Sequence, residues 1–197
     1  MKKLLLAICF LLAGVIAVNA QSVSIGARAG LNIANEKISS SSFSVSPKSL
    51  ASVMVGGYAT IMFNDKMGIQ PEVFYNAVGA KDDTGSSGTT TVKTNYLSVP
   101  VFFRYNVVPQ FHLLAGPQFG ILLSAKQTDN SGTTDIKDQL NSSDFGAVIG
   151  AGVDFGPFNA GLRNCFGISN ISKSTSGGYT VKNNVFQIVV GFKLFGK

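Results

Sequence analysis

Apolar side chains fall on every second position through separate stretches of this chain. In Asp144–Phe155 the odd positions read Phe145, Ala147, Ile149, Ala151, Val153 and Phe155. The even positions read Asp144, Gly146, Val148, Gly150, Gly152 and Asp154. Period two predicts a strand with one oily face and one polar or small face. Runs of about ten residues also match the length a tilted strand needs to cross a bilayer.

Eight such strands are predicted: Val23–Ala34, Ser52–Phe63, Met67–Ala80, Asn95–Asn106, Phe111–Ala125, Asp144–Phe155, Phe158–Ser169 and Val185–Phe195. Short turns at Asn64-Asp65-Lys66, Val107 to Gln110 and Gly156-Pro157 alternate with four long loops, Asn35–Ala51, Lys81–Thr94, Lys126–Ser143 and Asn170–Asn184. Short alternating with long predicts an all-β, eight-stranded antiparallel up-and-down transmembrane barrel, its turns periplasmic and its loops extracellular. Closure is required, because an open edge would leave backbone groups unpaired in hydrocarbon. Aromatic residues predict two girdles: Phe63, Tyr105, Phe111, Phe155, Phe158 and Phe195 at the turn ends, and Tyr75, Tyr96, Phe145, Phe166 and Phe186 at the loop ends.

The first twenty residues set the compartment. Lys2 and Lys3 precede an apolar run from Leu4 to Val18, and Val18-Asn19-Ala20 places small residues where an export protease cuts. We read 1–20 as a cleaved signal peptide and 21–197 as one barrel domain of the outer membrane. Cys9 leaves with the signal, so Cys165 alone remains and no disulfide framework is expected. Loss of two lysines lowers the formal charge from +6 to +4, too mild and scattered for nucleic acid.

With the oily parity turned to lipid, the other parity lines the lumen. It brings in Arg28, Glu72, Arg104, Asp154, Arg163 and Lys193, which are expected to pair into a structural charge network. Ser98, His112, Gln118, Ser124, Asp144, Asn159, Cys165 and Gln187 share that face. No metal-ligand spacing, phosphate loop or nucleophile–base arrangement occurs, so no cofactor, metal or enzymatic activity is expected. His112, the single histidine, follows a periplasmic turn and reads as a structural, hydrogen-bonded residue.

Several segments resemble a known family. Arg28-Ala29-Gly30-Leu31-Asn32, Gly68-Ile69-Gln70-Pro71-Glu72-Val73, Tyr96-Leu97-Ser98-Val99-Pro100-Val101, Leu114-Ala115-Gly116-Pro117 and Gly150-Ala151-Gly152 are similar, in this order, to PorT-like outer-membrane β-barrel proteins of the Bacteroidetes type. The resemblance implies an eight-stranded outer-membrane barrel with a cleaved signal. It further implies a terminal strand read by the barrel-assembly machinery through Gly191, Phe192, Leu194 and Phe195, although this chain ends Gly196-Lys197. The expected partners are outer-membrane lipid, that machinery, and a protein or surface ligand at the loops. The leading functional expectation is a structural or surface-binding barrel. Two alternatives are a narrow passive pore and a component associated with protein secretion. A soluble, lipocalin-like barrel would instead need the oily parity inside.

Overall fold

The computed structural model describes residues 22–39, 44–45, 48–83, 89–173 and 179–196. The proposed signal peptide, with Cys9, lies outside them. Among the described residues ten strands run in chain order: β1 Ser22–Ser39, β2 Ser44–Val45, β3 Lys48–Met62, β4 Met67–Asp83, β5 Thr89–Val108, β6 Phe111–Asp129, β7 Gly132–Asp135, β8 Ser143–Phe155, β9 Phe158–Gly167 and β10 Thr180–Gly196. Eight of them close a ring in the order β10-β9-β8-β6-β5-β4-β3-β1, with β1 returning to β10. Every pairing is antiparallel, and β2 and β7 extend β1 and β6 at the loop end.

The pleat follows the alternation read from the sequence. Ile25, Leu31, Val55, Phe103, Phe119, Ile149, Leu162, Ile188 and Val190 are exposed on the outer face, an arrangement that water would penalise and lipid rewards. Phe155 and Phe158 meet across a two-residue turn. Its Gly156 adopts φ 59°, the left-handed conformation such primed turns require.

Two details differ from the sequence reading. The strands outrun their predicted ends at the loop side: β1 continues to Ser39, β5 begins at Thr89 and β10 at Thr180. The outward positions there are polar, so no oily face marks the strand, yet ladder hydrogen bonds carry it on. Tyr96, assigned above to the outer girdle, is instead 2% exposed inside the lumen. It shares parity with Ser98 and Arg104, and that parity prevails. Ser124 also leaves the lumen, because a register shift between Asn95 and Tyr96 pairs it with outward Asn95 and turns Ala125 inward.

Candidate functional site

The interior divides into three layers. The layer nearest the periplasmic turns is ionic. The β4 carboxylate of Glu72 accepts from the Arg28 guanidinium of β1 and from both terminal nitrogens of Arg163 of β9, at 2.7 and 2.8 Å. Gln70 Nε2 donates to the same carboxylate at 2.7 Å. Arg28 also donates to Asn159 at 2.7 Å, and Asn159 in turn to the Tyr58 hydroxyl. Both guanidinium planes lie over rings, Arg28 over Tyr58 at 4.3 Å and Arg163 over Phe102 at 4.9 Å. Nearer the mouth, Arg104 donates to Asp154 at 2.5 Å, and His112 Nδ1 lies 3.0 Å from the same oxygen.

Five of the six charged residues assigned to the lumen therefore pair, in two groups joined by Gln70, which accepts from Arg104 at 3.1 Å. Lys193 does not join them. It pairs in register with Gly26, one row nearer the periplasm, half-exposed and with no ion pair among the described residues. Water at the mouth solvates its ammonium, so no buried partner is demanded. His112 enters the network through Asp154, a role that its position just after a turn does not reveal in the sequence.

In the middle layer apolar side chains pack among the buried amides Asn32, Asn76, Gln118 and Gln187, and sequence reasoning missed the apolar part. Tyr96, Phe102, Leu114, Leu122, Val148 and Val185 form one buried cluster, and Met54, Phe74 and Val189 form a second. All of them sit at lumen parity. Attention to charged residues hid the signal, which lies in the apolar members of the inward parity. At the junction of the two layers, the space ringed by Arg28, His112, Leu114, Asn159, Arg163 and Val189 holds no water-sized sphere.

The third layer lies at the outer mouth. Past β7 the chain makes a 3-10 turn at Lys137–Gln139, and Ile136 drops into the apolar cluster. Leu140 bridges Ser172, and Asn141 and Lys173 donate backbone hydrogen bonds to Ile171 and Gln139. Ile171, 1% exposed, is bonded in turn to Val181. Two long connections thus knit into a cap. Beneath it Asp144 accepts from Ser169 at 2.6 Å and from Asn183 at 2.8 Å. Glu36 sits opposite Asn183, above the last outward apolar residue of β1, Ile33, and its Oε1 has no hydrogen-bond partner among the described residues. Burial pushes that carboxyl up to about 7. Among the described residues no group of three or more His, Cys, Asp or Glu side chains is placed to hold a metal.

A closed antiparallel ring, oily outside, ionic and apolar within, and capped at one end defines a small transmembrane β-barrel. The chain matches the outer membrane protein beta-barrel domain over residues 19–173 and belongs to that family; it is an outer-membrane protein. That match is to the wider barrel family and does not single out the PorT-like branch. Among solved structures, Neisserial surface protein A is 16% identical, covers 87% of this chain and 99% of its own, and aligns with a TM-score of 0.53. The attachment invasion locus protein Ail of Yersinia pestis is 16% identical over 88% of this chain and 98% of its own, with a TM-score of 0.48. OprG of Pseudomonas aeruginosa is 14% identical over 89% and 97%, with a TM-score of 0.44. At these identities the likeness is one of fold. No curated protein matches the chain.

Proposed function

We propose that the barrel is a non-enzymatic anchor whose folded outer hairpins and cap are presented to the cell's surroundings, where they dock a protein or surface ligand. The observation that carries this reading is the filled interior. Passive conduction needs a continuous aqueous path, and here an ion-pair layer, a packed layer of apolar and amide side chains and a knitted cap follow one another. An eight-stranded ring is narrow enough for side chains to fill it. Catalysis would need a nucleophile, base or metal placed at a reachable surface. The one histidine is buried against Asp154, and Cys165 is buried within the apolar cluster. The outer rim is accessible, and exposed loops on a rigid scaffold are where binding concentrates.

Single-channel recording of the full-length protein in planar bilayers tests the closed lumen. The anchor reading expects a quiet baseline under moderate voltage. A steady ohmic conductance in every insertion would overturn it in favour of a pore.

A further inference from the structure

The register on the outer face sets lysine opposite lysine. Lys37 pairs with Lys182 across β1 and β10, and Lys93 with Lys126 across β5 and β6. Each lies on the outward parity of its strand. Counted away from the oily belt, β1 presents Ile33, Asn35 and Lys37 in successive outward positions. β10 presents Phe186, Asn184 and Lys182, and β5 presents Leu97, Asn95 and Lys93. Three strands repeat one order: apolar, asparagine, lysine. Two outward steps are roughly 13 Å along a strand. At the usual barrel tilt that is about 10 Å of height. The ammonium groups therefore stand at the level of the outer-leaflet headgroups.

Like charges directly opposite on neighbouring strands destabilise a sheet. Lys37, Lys182, Lys93 and Lys126 form no ion pair among the described residues; Asp135 is set across from Lys126 on its other side, and no carboxylate is set across from Lys37 or Lys182 in the paired strands. An anion lodged between the two ammoniums turns that repulsion into a two-point contact. Lysine, a compact charge on a flexible stem, also suits a headgroup that moves.

We propose that these lysine pairs are binding sites for the phosphate groups of outer-leaflet lipid headgroups, one phosphate held by each pair. This goes beyond the proposed docking role and is independent of it. The site faces the membrane plane, whereas the cap faces outward.

The test uses the full-length protein in detergent. The probes are a bisphosphorylated glucosamine lipid, its dephosphorylated form, and inorganic phosphate. Saturable binding of the phosphorylated lipid is expected, weakened about fivefold per lysine removed and roughly 25-fold in Lys37→Gln/Lys182→Gln. Lys37→Arg/Lys182→Arg should retain binding, and Lys66→Gln in a periplasmic turn should leave it unchanged. Equal affinity for the dephosphorylated lipid, indifference to loss of a pair, or displacement by inorganic phosphate at matched phosphate concentration would each overturn the proposal. A second readout is a reversal of sign. Lys37→Gln should raise the unfolding midpoint in zwitterionic vesicles, where only repulsion is removed, and lower it in vesicles carrying the phosphorylated lipid. A shift of the same sign in both would contradict the proposal.

Discussion

Glu72 is 4% exposed and faces two guanidiniums, so its charge is what allows Arg28 and Arg163 to be buried at all. Glu72→Gln keeps the shape and removes the charge. It should cost about 3–5 kcal/mol, because two buried cations lose their counter-ion. Urea unfolding of the vesicle-inserted barrel, compared with wild type, measures this. Replacing Arg28, Glu72 and Arg163 together by apolar residues of similar volume should cost far less, since no charge is then left unpaired. Glu36 behaves oppositely. Its folded-state carboxyl titrates at about 7, above the ordinary 4.5, so between those values the folded chain holds a proton that the unfolded chain has lost. Its contribution to stability is complete below pH 4.5 and is lost as pH rises to about 7, by an amount on the order of 3 kcal/mol. Unfolding midpoints at pH 5 and pH 8 should therefore differ less in Glu36→Gln than in wild type, and the variant should be the more stable of the two at pH 8. Much of this interior was legible, because Arg28, Glu72 and Arg163 are placed by parity alone. Lys193 was not, since parity says which face a residue is on and not how near the open mouth it lies.

Among the elements, the β8–β9 hairpin reads most directly from sequence: strict alternation on both sides of Gly156-Pro157 fixes turn, register and facing together. The outer extensions read least well. In Thr89–Lys93 and Thr180–Lys182 the outward face carries only Thr and Lys above the oily belt, so the hydrophobic period vanishes while the hydrogen-bonded ladder persists. The cap was also invisible in the sequence, since a Ser- and Asp-rich connection gives no sign that one isoleucine will anchor it. Ile136 and Ile171 are the buried points by which it grips the barrel. Ile136→Ser should loosen the cap without opening the ring. Amide hydrogen exchange of residues 137–141 and 169–173 is expected to accelerate about tenfold or more, from the loss of some 1.5–3 kcal/mol of apolar burial. Exchange within β4 and β8 should stay unchanged. Uniform acceleration across the barrel would mean that cap and ring open together.

For the whole molecule, the arrangement inverts the usual soluble solution: charge inside, oil outside. The alternation that announces strands cannot by itself say which face meets protein. Loop asymmetry and girdles supplied that, and the closed ring agrees. Tyr96 shows the limit of the method, because an aromatic near a membrane rim was read by its height and not by its parity. The middle layer shows another, since small barrels fill their lumen with whatever packs, charged or not. One consequence stands above the others: the odd-parity face of β8 touches acyl chains and the even-parity face does not. The chain has no tryptophan, so single tryptophans at Ile149 and at Val148 report the two faces without background. Reconstituted in vesicles of lipids brominated along their chains, Ile149→Trp should be strongly quenched. Val148→Trp, in a barrel that still shows heat-modifiable gel mobility, should be quenched weakly. Strong quenching at Val148 with little at Ile149 would place the oily face inside and contradict the account.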